Sequence, residues 1–207
     1  MAEPSGIFDA GFLVALEVFV KVHHIPYPKL PPQGIYFEAL VEESFRKIKK
    51  PFTIIEGGGR NQPRHDLLVE DKRISLKTET GEITRPDRIA ITKLCTTERE
   101  PWDAPTLVGR VLEHLARYDI ILMLRAVWDS PLIHYQLLEI PVENLRLIEN
   151  AEFAPVGKGR SLGADVIQDG RVLFHVHFDG SDRKCSLRNI PVADCAMLEQ
   201  WDVKYTD

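Results

Sequence analysis

The sequence predicts an α/β fold in which helices flank a mixed central β-sheet and a β-rich elaboration follows at the C-terminus. Three observations predict it. Apolar residues recur at helical spacing in three separate stretches, within 7–22, 34–50 and 106–118. Residues 119–127 form a nearly continuous apolar run, the signature of a strand buried on both faces. Most of the last sixty or so residues fall into short strand-like segments separated by turn residues.

The elements follow in order. Phe8, Phe12, Leu13, Leu16, Phe19 and Val20 give residues 7–22 a helical pattern. Residues 25–33 hold Pro26, Pro28, Pro31 and Pro32 and form an extended connector. From Gly34, an apolar stripe of Tyr36, Phe37, Leu40, Val41 and Phe45 predicts a second helix. Arg46, Lys47, Lys49 and Lys50 complement its C-terminal dipole, and Pro51 stops it. Residues 52–56 read as a strand ended by Gly57-Gly58-Gly59. Segments 65–70 and 73–80 flank a polar turn centred on Asp71-Lys72, which reads as a hairpin. Leu107, Val108, Val111, Leu112 and Leu115 predict a third helix, and residues 134–140 a neighbour for the buried strand at 119–127. Strands are expected at 164–168, 171–178 and 184–190, the last two joined by Asp179-Gly180-Ser181-Asp182. A short helix around 193–201 is expected to close the chain.

Composition narrows the function classes. The 207 residues suit a single domain, and 44% hydrophobic with 28% charged content is globular. The best membrane candidate, 120–127, is short and contains Arg125, so a span is excluded. The start, Met-Ala-Glu-Pro, lacks the basic and apolar regions of a secretory signal. Cys95, Cys185 and Cys195 make neither a disulfide framework nor a CxxC metal pair, so a cytoplasmic, reduced protein is expected. A formal charge of −5 argues against a protein that simply coats nucleic acid. It leaves room for an enzyme that grips DNA locally and gathers carboxylates around metal ions.

The hairpin carries the chemistry. With the turn at Asp71-Lys72, Asp66 lies across from Lys77 and Leu68 across from Ser75. Alternation along the strands then gathers Asp66, Ser75, Lys77 and Glu79 on one polar patch, with most apolar residues facing the core. Phosphodiester cleavage needs a metal to neutralise phosphoryl charge and lower the pKa of an attacking water. Mg²⁺ takes hard oxygen ligands, typically one or two protein carboxylates. A nearby Lys positions the nucleophile or stabilises developing negative charge. The plain alternative is an ordinary cross-strand charge pair.

The order Gly34-Ile35-Tyr36-Phe37-Glu38 on a helix, a strand at 52–56, Asp66 and then Ser75-Leu76-Lys77 resembles the PD-(D/E)XK nuclease superfamily, particularly type II restriction endonucleases. The likeness covers about residues 34–140, and the hairpin at 171–178 and 184–190 resembles terminal segments of some restriction enzymes. The resemblance implies a restriction-endonuclease-like core at 34–140, within a single nuclease domain spanning 1–207. Residues 150–207 would be a C-terminal β elaboration serving DNA recognition or dimerisation. Two departures stand out. His65 precedes Asp66 where Pro is usual, and Ser75 occupies the second acid position. Some restriction enzymes resemble this, with Ser there and an acid supplied from a nearby helix. Glu38 is the first choice, Glu42 one turn later the second, and Glu79 the third.

What the resemblance implies is a Mg²⁺-dependent, sequence-specific endodeoxyribonuclease acting on double-stranded DNA as a homodimer. Asp66 and Glu38 would bind the metal, Lys77 would assist at the scissile phosphate, and Ser75 would fill the vacated acid position. A repair or junction-resolving nuclease with the same core, or an inactive DNA-binding module, are the alternatives. Arg60, Arg64, Arg85, Arg88, Lys158, Arg160, Arg183, Lys184 and Arg188 are the candidates for DNA contact, by base readout or phosphate binding, against the alternative of solvated surface charge. Glu70-Asp71-Lys72 also spells acid-x-Lys but falls at the turn, and His175-x-His177 lacks a third ligand at suitable spacing.

Overall fold

Asp9 starts the first helix: its carboxylate accepts the Phe12 amide at 2.9 Å, satisfying one of the donors a helix leaves open. The computed structural model describes residues 2–54, 67–97, 101–157 and 159–205. In chain order the elements are α1 (Ala10–His23), α2 (Ile35–Lys47), β1 (Thr53–Ile54), β2 (Leu67–Val69), β3 (Lys72–Glu79), β4 (Arg88–Thr96), α3 (Ala104–Leu115), β5 (Ile120–Asp129) and β6 (Leu132–Ile140). There follow α4 (Val142–Arg146), β7 (Ala154–Pro155), β8 (Leu162–Gln168), β9 (Arg171–Asp179), β10 (Lys184–Pro191) and β11 (Ala196–Lys204). They form two compact units, one of Met1–Pro86, Tyr118–Pro141 and Ala193–Asp207, the other of Asp87–Arg117 and Val142–Val192.

The first unit holds a six-stranded sheet in the order β1-β2-β3-β5-β6-β11. Only β3 and β5 run parallel; every other pair is antiparallel, so the sheet is mixed. Phe12, Leu16 and Val20 of α1 and Phe37, Val41 and Phe45 of α2 are buried in one core with Leu67, Ile74, Leu76, Leu122 and Tyr135. Alternation puts Ser75, Lys77 and Glu79 on the opposite face of β3 from Ile74 and Leu76. The second unit is a five-stranded antiparallel sheet, β4-β10-β9-β8-β7, with α3 packed against β4.

Three local expectations change. The hairpin turn is Glu70-Asp71, both in the left-handed region (φ 48° and 63°), as a two-residue hairpin turn requires, and Lys72 becomes the first residue of β3. Residues 196–204 are not a helix but β11, paired to β6 with Trp201 stacked on Tyr135 at 5.5 Å. Their Ala, Met, Leu and Glu favour a helix locally, and the tertiary pairing overrides that preference. β4 was not anticipated; irregularities in its register with β10 break the alternation that marks a strand. Residues 150–207 are thus shared between the two sheets, β7–β10 in one and β11 in the other.

Candidate active site

The site is built on β3, which is internal to its sheet. Its parallel ladder sets Ser75 level with Ile121, Lys77 with Met123 and Glu79 with Arg125. Ser75 is 1% exposed, and Lys77 is half-buried. The Lys77 ammonium donates to Ser75 Oγ at 2.9 Å and to the Leu76 carbonyl at 3.2 Å. The Ser-x-Lys spacing thus has a structural result: a cation held against a buried hydroxyl on one strand face.

The hairpin register differs from the expected one. Leu68 pairs with Arg73, not Ser75, and Leu67 pairs with Ile74. Moving the turn from Asp71-Lys72 to Glu70-Asp71 shifts each pairing sum by two residues. Asp66 precedes Leu67 in the chain and itself lies outside the described residues, as do Arg60, Arg64 and Lys158.

The three candidate acids stand in different environments. Glu38 sits half-buried in the first turn of α2, its amide donating to the Gly34 carbonyl at 3.0 Å. Gly34 is the helix N-cap at φ 48° and ψ −119°, a conformation that side chains disfavour, so glycine in the Gly-x-x-x-Glu pattern has a conformational reason. Glu42, one turn on and also half-buried, is ion-paired with Arg46 at 2.9 Å. Glu79 pairs at 2.6 Å with Arg125, a guanidinium that is 0% exposed. Among the described residues, no three of His, Cys, Asp and Glu converge to hold a metal. His175 and His177 sit on β9, where His175 Nδ1 bonds Asp165 at 2.9 Å and burial lowers the His177 pKa.

Arg125 is the buried neighbour of Glu79 that sequence reasoning passed over. Besides Glu79, it donates to Gln136, to the Arg85 carbonyl at 2.6 Å and to the Pro86 carbonyl at 3.5 Å. It therefore ties the end of β3 and the segment leading to Arg85 onto β5. The available signal was a lone charge within an apolar run. At the other end of the same strand pair, Arg73 grips Asp119 with its backbone amide (2.8 Å), Nε (3.0 Å) and Nη2 (2.9 Å). The Arg73 guanidinium, chiefly through these hydrogen bonds, holds the Asp119 carboxyl down at about 2.

The basic candidates divide between the units. Arg85 is exposed in the first. In the second, Arg88 lies 3.6 Å from Asp87, and Lys184 pairs with Asp182 at 2.7 Å. Arg160 lies over the Trp102 ring at 4.8 Å while the Trp102 indole N–H donates to its carbonyl. Arg183 is half-buried, and its carbonyl accepts the Thr97 amide at 2.8 Å; Arg188 is exposed on β10.

Comparison with known proteins gives this arrangement a context. A family model described as SmaI, type II site-specific deoxyribonuclease, matches residues 3–203. The type II restriction enzyme SmaI of Serratia marcescens is 27% identical over 150 residues, covering 69% of this chain and 61% of that enzyme. The matched region thus spans less than two thirds of that relative's length. No solved structure matches. No described helix is long and apolar enough to cross a membrane. The family match runs through both units and over the strand that presents Ser75 and Lys77, and on it the chain belongs to the SmaI family of type II site-specific deoxyribonucleases.

Proposed function

We propose that this protein is a type II restriction endonuclease that hydrolyses phosphodiester bonds at a specific sequence in double-stranded DNA, dependent on Mg²⁺ and acting in the cytoplasm as a homodimer. The observation that carries the reading is the Lys77 ammonium, held beside buried Ser75 on an internal strand next to the hairpin that begins after Asp66. Family membership supplies the reaction class, and the strand supplies its cation.

The donor chemistry suits a hard cation. Ser75 offers a neutral hydroxyl oxygen, and the acids to be added are carboxylates, the ligand type that Mg²⁺ prefers. Asp66 and Glu38 are the residues that would hold it. When bound, the ion neutralises phosphoryl charge and lowers the pKa of a water. Glu38 is the first choice, half-buried in the first turn of α2 directly after the Gly34 N-cap. Lys77 contributes a fixed positive charge where negative charge develops on the phosphate. Ser75 fixes the direction of that ammonium by accepting its hydrogen bond at 2.9 Å, and adds no charge to offset it.

We assign cleavage to the first unit and DNA contact chiefly to Arg160, Arg183, Lys184 and Arg188 of the second, with Lys158, Arg60, Arg64, Arg85 and Arg88 as further candidates. Charge supports the division. The first unit carries 14 Lys+Arg against 19 Asp+Glu, and the second 12 against 12, so the whole −5 falls on the unit that needs carboxylates.

The test is incubation of plasmid DNA with the protein, with Mg²⁺ or with a chelator. Discrete fragments with Mg²⁺ and intact plasmid with chelator are expected, with Asp66→Ala and Lys77→Ala both inactive. Nicking of branched or damaged substrates alone would indicate a repair nuclease. Binding without cutting would overturn the enzyme reading.

A further inference from the structure

Two of the three cysteines face each other across neighbouring strands of the second unit. The register of β4 with β10 sets Cys95 directly opposite Cys185. The Thr97 amide donates to the Arg183 carbonyl at 2.8 Å, and Thr96 pairs with Lys184. Two residues along the same ladder, Cys95 and Cys185 are therefore again a hydrogen-bonded pair. Opposed residues of an antiparallel pair project from the same face, and in a hydrogen-bonded pair their Cα atoms lie about 5.5 Å apart. A disulfide joins Cα atoms about 4.4–6.8 Å apart, so the backbone already has the spacing that a bond between these two residues requires. The side chains meet as well. The Cys185 thiol donates a hydrogen bond to the Cys95 sulfur, and both thiols are free.

The two thiols are not equivalent. Cys185 is 0% exposed, on a strand that lies between β4 and β9. Cys95 is 7% exposed and stands next to last on β4, the edge strand of its sheet. The end of an edge strand is where a sheet opens at least cost. The hydrogen bond from Cys185, helped by the positive charge of Arg117, draws the Cys95 thiol below its ordinary value against the opposing effect of burial. The same hydrogen bond, together with burial, pushes Cys185 up. The thiolate is the nucleophile, so Cys95 is placed to react first and Cys185 to resolve the product. Cys195 belongs to the first unit, is 1% exposed, and is pushed up to about 12 by burial.

We propose that Cys95 and Cys185 form a redox-modification site, at which hydrogen peroxide converts the opposed thiols into a reversible disulfide between β4 and β10. In the first step the Cys95 sulfur attacks one peroxide oxygen. The O–O bond breaks, the sulfur gives up two electrons and becomes a sulfenic acid, and the other oxygen leaves as water with the thiol proton. In the second step the Cys185 sulfur attacks the Cys95 sulfur. The S–S bond forms, the S–O bond breaks, and the hydroxyl leaves with the Cys185 proton as a second water. One peroxide is thus reduced to two waters while two thiols become one disulfide, and a dithiol restores both thiols by exchange. The product ties the edge strand to the interior of its sheet. It stands apart from Ser75 and Lys77, which belong to the first unit, so the inference does not depend on the nuclease reading.

The experiment treats the folded full chain with hydrogen peroxide, records circular dichroism, then unfolds it in iodoacetamide and maps its peptides by mass spectrometry. The expected product is a linked pair of peptides carrying Cys95 and Cys185, two hydrogens lighter than its parts, with Cys195 alkylated. The circular dichroism spectrum is unchanged, and dithiothreitol removes the link. Cys95 and Cys185 recovered unlinked, a link that reaches Cys195, or a link that forms only as the spectrum is lost overturns the proposal. Two variants read the order of attack. Dimedone, which traps sulfenic acid, is expected to label Cys95 in Cys185→Ser and to leave Cys185 unlabelled in Cys95→Ser; the reverse pattern overturns the assigned roles. The wild-type map needs no substitution, so it decides the site even where a variant fails to fold.

Discussion

Replacing Arg125 by Met tests whether the segment after β3 is held by one buried cation. The guanidinium is 0% exposed and the Glu79 carboxylate 13%, at 2.6 Å. The substitution strips Glu79 of this partner and leaves the Arg85 and Pro86 carbonyls without its donors. Removing one member of a buried pair costs about 3–5 kcal/mol, because the other charge stays desolvated. For a chain of this size that lowers Tm by roughly 10 °C, at about 2–4 °C per kcal/mol. Arg125→Met with Glu79→Leu removes both charges and is expected to recover most of the loss, since apolar replacement of a whole buried pair is often neutral. Thermal unfolding followed by circular dichroism measures all three proteins. A Tm loss below about 2 °C in the single variant, or a double variant no better than the single, would refute the reasoning.

Other outcomes follow from the same geometry. Glu38→Ala and Asp66→Ala should each lose at least about 100-fold in cleavage rate, while Glu42→Ala stays within about threefold; equal losses in the two helix variants would show that neither acid has a special place. Asp119→Asn should cost about 1–2 kcal/mol at pH 7, allowing for solvent screening of a pair in which Arg73 is 39% exposed. Because the folded carboxyl titrates at about 2, below its unfolded value near 3.9, that contribution is full above pH 4. The stability difference should vanish between pH 4 and 2, and a difference that persists at pH 2 would contradict it. His134, hydrogen-bonded by Asp202 at 2.7 Å, titrates above its usual value. Its contribution to holding β11 on β6 is complete below pH 6.5 and lost as pH rises through the folded pKa. A proton NMR titration of the ring should lie above 6.5 and fall in Asp202→Asn; a midpoint at or below 6.5 in the wild type would defeat the assignment.

The parts legible in the sequence were those with a local signature. The apolar run ending at Val127 could only be an internal strand, and the spacing of Phe12, Leu16 and Val20 only a helix. Ser75 and Lys77 share a face because period-two alternation guarantees it. What escaped depends on distant partners. Arg125 meets Glu79 through a parallel pairing across 46 residues, and no local pattern announces that register. The last strand reads as a helix until Trp201 finds Tyr135. The turn was misplaced by one residue because Glu70, a poor left-handed residue, accepts φ 48° there.

The interleaving of the two units along the chain governs the order in which the protein can assemble. Strands β3, β5 and β6 of the first sheet leave the ribosome before most of the second unit, whose last residue is Val192. β11, the strand that covers the outer edge of β6, emerges only afterwards. At about 5–20 residues per second, the second unit is complete roughly a second before the first can close. A chain released early, anywhere short of Ala196, therefore carries Lys77 on a sheet whose β6 edge is bare and whose Tyr135 lacks its stacked Trp201. An open edge of that kind is a template for pairing with another chain. The strand at 196–204 is therefore the last piece of the first sheet to be made, and the edge of β6 stays open until it arrives.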